Sequence, residues 1–546
     1  MQVLIQEHAN QIDDPVLLEK DVFDMREAIG RFRSGDLPDL EFRRFRLHRG
    51  IYGQRADQPG YSMVRVKVPY GLLTSKQVAR LGEIARKFAD GIAHITTRQD
   101  IQFHWVKLDD VPDVMGWLAE TGLTTREACG NTVRNIVGSP LAGVDPNELF
   151  DITPYARQLT KHLLRNSLNQ QLPRKFKISF SGSSDESDGI IPWIHDIGFV
   201  AAVHEVDGAV QRGFKTYVGG GLGSQPRVAD LLEDFTPVGQ MIPLSEAILT
   251  VFNELGNRDN RNKARIKYVL WKVGLEEFRR RVNEERNRIL QSGRTFPPPE
   301  ETPEQGYRPV SEKADSSKNT SAEFLTWAET NVLPQKQTGY HVAYVNPTIG
   351  DLTTDQLFAL SDIAERYSNG FVRTTAQQDM VLRWVRTSDL QPIYRDLGHA
   401  GLNRPGARTI TNVTSCPGAD TCNLGITHSR ALGRTLTQLF ERTPDLREAA
   451  RELRIKISGC PNSCGQHHVA SIGFYGATKS LRDREIPSYI MLIAGGFNAG
   501  KQSFGEVVGK VPARRVPEAV SRVLRNFVAE KRENENFLEY VEREGV

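Results

Sequence analysis

The sequence has few cysteines and no long apolar segment. Its 546 residues include five cysteines, Cys129, Cys416, Cys422, Cys460 and Cys464, an odd and sparse set that does not match a secreted disulfide framework. No stretch of 18 apolar residues is present, and the N-terminus has early acidic residues without an apolar core, so neither membrane insertion nor export is indicated. We therefore expect a cytoplasmic protein whose thiols are reduced or hold metal.

The chain also has no large excess of either positive or negative charge. The 70 lysines and arginines nearly balance the 67 aspartates and glutamates, so the net charge of +3 gives no overall attraction to nucleic acid or to a membrane. The segment E-F-R-R-F-R-L-H-R-G, residues 41–50, interleaves arginines with aromatics and is compatible with single-stranded nucleic acid. A short basic arm that wraps the core or lines a cofactor entrance is the preferred interpretation, and no nucleic-acid partner is expected.

The chain contains an internal duplication. Residues 60–106 align with residues 339–385 at a constant offset of 279, without a gap and with 16 identities in 47 positions. In each copy the pattern predicts a strand, an amphipathic helix and a second strand. In the first copy we expect the second strand to run without interruption through I-A-H-I-T-T-R-Q-D-I-Q-F-H-W-V.

The repeat and the composition between the copies predict a domain organisation. Residues 292–320 are rich in Pro, Glu and Ser, which is typical of an extended linker. The predicted segments are an N-terminal arm (1–55), a first half-repeat (56–125), a first larger α/β domain (126–291), a linker (292–334), a second half-repeat (335–405) and a second α/β domain (406–546). We expect an α+β fold whose ligand lies where the two halves meet.

Four of the cysteines form C-x5-C and C-x3-C pairs separated by 37 residues. Structural zinc sites favour tighter pairs, often completed by histidine, whereas iron–sulfur clusters tolerate longer loops between their thiolates. Proline and glycine beside the thiols suit tight turns that direct sulfur and backbone N–H groups at one anionic object. The spacing favours a [4Fe–4S] cluster over the two alternatives, zinc and unrelated buried thiols.

The sequences T-S-C-P-G-A-D-T-C-N-L-G and K-I-S-G-C-P-N-S-C-G resemble the coupled cluster and siroheme signature of the sulfite and nitrite reductase hemoprotein family. The duplication is similar to that family's two-fold arrangement. The resemblance implies two ferredoxin-like half-repeats paired together, and two larger domains that hold siroheme and the cluster. It implies that the cluster ligands are Cys416, Cys422, Cys460 and Cys464. Cys464 would also bridge to the siroheme iron, whereas His467 and His468 match no family role and are expected to be structural.

The first half keeps cations that the second half lacks, because Arg65 aligns with Tyr344 and Arg98 with Gln377. By resemblance, four residues hold the anionic substrate, and the lysines among them are candidate proton donors: Arg65, Arg134, Lys175 and Lys177. Further residues match siroheme contacts in the family: Thr96, Arg98, Gln102, Arg174 and Cys464. The spacing T-x-R-x-x-x-Q predicts that Thr96, Arg98 and Gln102 share one face of a strand.

The substrate prediction depends on one position. Family members devoted to nitrite resemble R-K-W-N, whereas this chain has R-K-F-K at 174–177. A second ammonium suits sulfite better than an amide does, so the resemblance implies six-electron reduction of sulfite to sulfide in sulfur assimilation. A ferredoxin-dependent nitrite reductase that makes ammonia is the first alternative. A non-catalytic iron–sulfur protein that senses redox state or binds RNA is the alternative from another class.

Two glycine-rich segments resemble nucleotide-binding loops but lack an essential residue. G-G-F-N-A-G-K (495–501) is followed by Gln502 rather than a Mg²⁺-binding Ser or Thr, and the run 219–223 is followed by Ser224 rather than glycine. Neither ATP hydrolysis nor a nicotinamide or flavin domain is supported. The electrons are expected from a separate donor, with an acidic ferredoxin preferred over a flavoprotein subunit.

The fifth cysteine, Cys129, lies five residues before Arg134. A buried, inert thiol is the ordinary interpretation. In some family members a cysteine at this place is joined to a tyrosine through a thioether, and here Tyr52 is the candidate partner. Both interpretations remain open at the level of the sequence.

Overall fold

The structure, a computed structural model, describes residues 14–55, 57–58, 60–183, 189–296, 298–299, 321–481, 484–498 and 501–545. Two helices come first, α1 (Pro15–Ser34) and α2 (Asp39–His48). Helix α2 contains most of the arginine-rich segment predicted to be an arm, and its Phe42 is buried in a ring stack against Phe32 at 4.4 Å. No helix of these described residues is long and apolar enough to cross a membrane.

The first repeat copy and the domain after it follow in chain order. The first copy consists of β1 (Ile51–Gly53), β2 (Tyr61–Val66), β3 (Leu72–Thr74), α3 (Ser75–Phe88), β4 (Ile92–Ile95), β5 (Ile101–Lys107) and α4 (Val111–Ala119). The following domain consists of β6 (Val137–Gly138), α5 (Thr153–Leu163), β7 (Ile178–Ser181), β8 (Ile197–Val206), β9 (Ala209–Val218), β10 (Asp230–Pro237), α6 (Met241–Leu255), α7 (Ile266–Val273) and α8 (Leu275–Gln291).

The second half repeats this order. Its first part consists of α9 (Ala322–Asn331), β11 (Val332–Pro334), β12 (Tyr340–Val345), β13 (Asp351–Thr353), α10 (Thr354–Tyr367), β14 (Phe371–Thr374), β15 (Met380–Arg386) and α11 (Leu390–His399). Its second part consists of β16 (Thr414–Ser415), α12 (Ser429–Arg442), α13 (Pro444–Ala449), β17 (Ile455–Ser458), β18 (Ile472–Leu481), β19 (Arg484–Ile493), β20 (Gly496–Asn498), β21 (Lys501–Ser503), β22 (Glu506–Pro512), α14 (Val516–Glu530) and α15 (Phe537–Glu544).

The two repeat copies exchange a strand. Strand β3 pairs with β14 of the second copy, and β13 pairs with β4 of the first. The resulting sheets have the orders β1-β2-β5-β4-β13 and β11-β12-β15-β14-β3. One hydrophobic core contains buried residues of both copies. The copies therefore form one body, and the turns that follow β4 and β14 meet at its centre.

The same local signals start the equivalent helices α3 and α10. Each begins with a capping box in which a threonine and the glutamine three residues later satisfy each other's backbone N–H, Thr74 with Gln77 and Thr353 with Gln356. Of the apolar residues that recur at helical spacing in α3, four are buried and Phe88 is half-buried; the buried ones are Val78, Leu81, Ile84 and Ala85. The sequence pattern therefore identifies both helices correctly.

Two predictions about local structure need correction. The second strand of the first copy is not continuous, because β4 ends at Ile95 and β5 begins at Ile101. The segment 292–334, predicted to be a linker, includes helix α9 and strand β11. Residue 297 and residues 300–320 of that predicted linker lie outside the described residues.

The two larger domains contain related mixed sheets. Their strand orders are β10-β9-β8-β7-β6 and β16-β17-β18-β19-β22. In each sheet two neighbouring pairs are parallel and the remaining pairs are antiparallel, and each domain has its own hydrophobic core. The carboxyl ends of parallel strands meet at one edge, which is where open α/β sheets place ligands.

Candidate active site

Two tight turns hold the two halves together at the centre. The side-chain Nε2 of Gln99 donates to the carbonyl of Thr374 at 2.7 Å, and the Nε2 of Gln378 donates to the carbonyl of Ile95 at 2.8 Å. Both glutamines have left-handed backbones. Because each turn is bonded to the other copy, the first turn has a fixed position relative to the second half.

The first turn explains why the predicted strand is interrupted. The Oγ1 of Thr96 accepts from the backbone N–H groups of Arg98 at 3.1 Å and Asp100 at 3.2 Å, which offers the backbone a partner outside the sheet. Thr96 and Arg98 therefore lie in a turn, and only Gln102 lies on a strand. The prediction that Thr96, Arg98 and Gln102 share one face of a strand is therefore wrong, because two of the three lie in the turn between β4 and β5.

The cysteines are positioned by two neighbouring parallel strands. Cys416 directly follows β16, and Cys460 lies just beyond the end of β17. Backbone N–H groups point at sulfur, from Gly459 to the Sγ of Cys416 at 3.1 Å and from Leu424 to the Sγ of Cys422 at 3.4 Å. Such N–H groups stabilise thiolates and adjust the potential of a cluster bound to them.

Two glycines allow these loops to pack closely. Gly418 has a left-handed backbone with φ of 62°, and a Cβ there would collide with the hydroxyl of Ser429. A Cβ on Gly465 would collide with the carbonyl of Ile457. These positions require glycine for close approach, as the Gly-rich sequence around the thiols predicts.

The thiols influence one another, although no mononuclear metal site is formed. Burial and the charge of Cys464 raise the pKa of the Cys416 thiol to about 12, and Cys464 also contributes to the raised pKa values of Cys422 and Cys460. Within the part of the chain that the structure describes, no three His, Cys, Asp or Glu side chains converge as a single ion requires.

The arginines predicted to hold the anion lie together in the first half. Arg65 and Arg134 both donate to the carbonyl of Ala128, at 3.3 and 3.1 Å. With its amide oxygen turned toward Arg65, Gln102 accepts from Nη2 at 2.6 Å and from Nε at 2.9 Å. Gln102 therefore orients Arg65 through its oxygen, and only its amide nitrogen is left for a siroheme contact.

The two predicted lysines face the cysteine loop. Lys175 and Lys177 are half-buried, and neither ammonium has an acceptor among the described residues. Burial lowers the pKa of Lys175 to about 7 and that of Lys177 well below its ordinary range, whereas the charge of Cys464 acts in the opposite direction on both. The structure thus brings the cations of the first half together with Cys464 of the second.

A buried ion pair that no sequence pattern indicates supports the segment that carries Lys175 and Lys177. Arg265 donates to both carboxylate oxygens of Asp196 at 2.7 to 3.0 Å, and Asp196 also accepts the backbone N–H of Lys177 at 2.8 Å. Such a bidentate pair is geometrically specific. Asp196 and Arg265 are 69 positions apart, so no local pattern reveals them.

The residues predicted to contact siroheme fit an anionic group. The Nε and Nη1 atoms of Arg98 are buried without a hydrogen-bond partner, and Arg174 has no acceptor among the described residues. Burial lowers the pKa of each to about 10. Because buried N–H groups without an acceptor are costly, an anionic group such as a carboxylate is a suitable partner for these side chains.

Cys129 and Tyr52 lie beside the arginines. Cys129 is fully buried, burial raises the pKa of its thiol while the neighbouring Arg65 and the Tyr52 hydroxyl act in the opposite direction, and Arg65 lies over the Tyr52 ring at 5.5 Å. The two residues that a thioether would join are therefore neighbours in the structure.

The two histidines after Cys464 have other roles. The Nδ1 of His467 lies 2.9 Å from the hydroxyl of Ser458, and the Nε2 of His468 lies 2.9 Å from the carbonyl of Gly223. His468 thus connects the second half to the glycine-rich run of the first. The other glycine-rich segment continues into strand β21, whereas a phosphate-binding loop opens a helix; residues 499–500 lie outside the described residues.

Comparison with known families covers most of the chain. The family described as "Nitrite and sulphite reductase 4Fe-4S domain" matches residues 129–290 and 406–546. The family described as "Nitrite/Sulfite reductase ferredoxin-like half domain" matches residues 54–121 and 333–400. The expected α+β fold with two paired ferredoxin-like half-repeats is confirmed.

Some relatives are named as nitrite reductases and others as sulfite reductases. The assimilatory ferredoxin-dependent nitrite reductase of Haloferax mediterranei is 30% identical, over 93% of this chain and 86% of its own length. Sulfite reductase [ferredoxin] 1 of Mycolicibacterium paratuberculosis is also 30% identical, over 88% and 82%. The solved structure of the Mycobacterium tuberculosis NirA protein superposes with a TM-score of 0.81 and 26% identity, over 99% of this chain and 98% of that one.

Proposed function

Because this chain belongs to the nitrite and sulphite reductase family, we propose that it reduces sulfite to sulfide with six electrons. The family's cofactors are siroheme and a [4Fe–4S] cluster, and the residues of this site fit both. Four thiols would hold the cluster, Cys416, Cys422, Cys460 and Cys464. When bound, the two groups supply one-electron reduction at an iron centre, to which Cys464 would connect the cluster.

The anion-binding role belongs to the first half. Arg65 and Arg134 are fixed by the Ala128 carbonyl and by Gln102, so their charge is directed without rearrangement on binding. Arg98 and Arg174 would bind cofactor carboxylates, together with the hydroxyl of Thr96 and the amide nitrogen of Gln102. Anion and cofactor would thus use separate cations.

The observation that carries the proposal is the pair of lysines. Reducing sulfite to hydrosulfide consumes six electrons and seven protons and releases three waters, so proton donors must stand beside the anion. Neither the ammonium of Lys175 nor that of Lys177 has an acceptor in the part of the chain that the structure describes, and the charge of Cys464 raises the pKa of both. A burial-lowered pKa of about 7 at Lys175 suits a group that donates a proton and regains it near neutral pH.

Nitrite reduction to ammonia is the second candidate. It is favoured by relatives named ferredoxin–nitrite reductase, including that of Synechococcus elongatus, 31% identical over 93% of this chain. Lys177 is the residue that favours sulfite, because a second ammonium compensates a dianion.

The donor we propose is a ferredoxin, with a separate flavoprotein subunit second. Relatives of both substrate types have ferredoxin in their names. We further propose a cytoplasmic location, where thiols remain reduced.

The test compares kcat/KM for sulfite and for nitrite with reduced methyl viologen as donor. The proposal expects the sulfite value to be the higher. A visible spectrum of the purified protein distinguishes a reductase from a non-catalytic iron–sulfur protein, because siroheme gives strong red and near-ultraviolet bands that a cluster-only protein lacks. A higher kcat/KM for nitrite would select the second candidate.

A further inference from the structure

A buried contact links the first repeat copy to the loop that carries Cys422. The Nε2 of Gln54 donates to the carbonyl of Thr421, the residue before Cys422, at 3.2 Å and lies 3.4 Å from the Nδ1 of His104. In return the side-chain amide of Asn423 donates to the Gln54 carbonyl at 2.8 Å. Gln54 and His104 are both buried. We call these two residues the Gln54–His104 clasp.

In the second repeat copy, a charged side chain makes the contact to the corresponding loop of the other half. At the offset of 279, His104 aligns with Arg383. The larger domains correspond at an offset of 277, because β6 begins at Val137 and β16 at Thr414, so Ala142 is the counterpart of Ala419. Arg383 is buried, and its Nη1 donates directly to the carbonyl of Ala142. In the first repeat copy, by contrast, the buried contact to the loop of the other half is made by the neutral amide of Gln54, which donates to the carbonyl of Thr421. The loop around Ala142 contains no cysteine.

A second position shows the same exchange. His94 aligns with Arg373, whose Nη1 donates to the carbonyl of Ser139 at 3.1 Å. His94 is instead held by Asp351, with its Nδ1 2.8 Å from a carboxylate oxygen. Two buried arginines that tie the second copy to a cysteine-free loop are thus replaced by histidines where the first copy faces the cluster loop.

The geometry requires the clasp to be neutral. The two amide hydrogens of Gln54 serve the Thr421 carbonyl and the Nδ1 of His104, so this ring nitrogen accepts and cannot also carry a proton. The clasp leaves the Oε1 of Gln54 and the Nε2 of His104 buried without partners, which is a cost in stability.

A nearby arginine contact differs in its surroundings. The Nη1 of Arg55 donates to the carbonyl of Ala419 in the same loop. Its side chain is 36% exposed and its Nε pairs with Asp57 at 3.2 Å, so its charge is both compensated and screened. The uncharged contact is the buried one.

We propose that the Gln54–His104 clasp fixes the Cys422 loop without adding positive charge, and so keeps the reduction potential of the cluster low. Reduction adds negative charge to a group already surrounded by thiolates, so a buried cation nearby would stabilise the reduced state. The inference depends on the proposed cluster and not on whether sulfite or nitrite is the substrate.

The test measures the cluster potential of the cofactor-loaded protein by redox titration followed by electron paramagnetic resonance. Gln54→Lys keeps a donor to the Thr421 carbonyl and adds one charge, and Gln54→Met is the neutral control. We expect Gln54→Lys to shift the reduction equilibrium about tenfold toward the reduced cluster, which is about 59 mV for a one-electron couple. Gln54→Met should shift it by less than a third of that.

His104→Arg is a second charged variant, which recreates the residue found at 383. It should raise the potential as Gln54→Lys does, while His104→Gln should not. An unchanged potential in a cluster-containing charged variant, or an equal shift in charged and neutral variants, would overturn the inference. Absence of a reducible cluster in the unmodified protein would instead contradict the proposed function, so the two failures are distinguishable.

Discussion

The hydroxyl of Thr97 donates a hydrogen bond of 2.8 Å to the backbone carbonyl of Cys464. The residues belong to different halves, and the bond is returned by the side chain of Gln466, which donates to the Thr97 carbonyl at 3.4 Å. The turn after β4 therefore positions the loop that carries the proposed bridging thiolate. The position of the Cys464 loop thus depends on contacts that only the two halves together can make.

Removing that hydroxyl should loosen the Cys464 loop. We expect Thr97→Val to weaken the contact between this turn and the Cys464 loop by about 1 kcal/mol, the usual contribution of one hydrogen bond to stability. Loss of iron to a ferrous chelator should become several-fold faster, whereas Thr97→Ser should behave as the unmodified protein does. Equal rates in all three proteins would show that the contact does not secure the loop.

The four proposed ligands should differ sharply from the fifth cysteine. Replacing any one of Cys416, Cys422, Cys460 or Cys464 with serine should remove most of the iron and acid-labile sulfide. Cys129→Ser should keep both, because Cys129 lies in the first half beside Arg65. Iron and sulfide analysis of the purified variants provides the measurement, and full iron in a Cys422 variant would contradict the ligand set.

Substrate preference should depend on Lys177. Replacing it with asparagine removes one ammonium next to the anion, so we expect kcat/KM for sulfite to fall at least tenfold and that for nitrite to fall much less. Lys175→Gln is the matched variant and should lower both, because it removes the proposed proton donor whose pKa is about 7. Equal losses on both substrates in Lys177→Asn would remove this argument for sulfite.

The contact between Tyr52 and Cys129 predicts a covalent link. Joining the sulfur to the ring carbon beside the hydroxyl removes two hydrogens, with an external oxidant such as dioxygen as the acceptor. Intact-mass measurement should show this deficit of two hydrogens in the unmodified protein. Tyr52→Phe should have its full calculated mass, and an unmodified protein of full mass would leave Cys129 as a free thiol.

The sequence is most informative where the chemistry is local. The spacing of the four cysteines and the glycines beside them indicate the cluster loops, and the repeat at an offset of 279 predicts the paired half-repeats. The exchange of β3 and β13 between the copies could not be predicted, because those strands are three residues long and their partners are distant in sequence.

The supporting contacts of the site are the least predictable part. Gln54, Thr97 and the pair Asp196–Arg265 act through partners 69 to 369 positions away, so no local pattern distinguishes them from surface residues. The sequence does not predict the turn at Thr96 either, because a hydroxyl that accepts from the backbone N–H groups two and four residues on competes with an otherwise good strand pattern.

The central claim is that the thiolate of Cys464 belongs both to the cluster and to the siroheme iron. Mössbauer spectroscopy of ⁵⁷Fe-enriched, fully loaded protein tests it most directly. We predict that the cluster irons show magnetic coupling to the siroheme iron in the oxidised protein. Spectra in which the two centres are magnetically independent, with another axial ligand on the siroheme iron, would contradict the account.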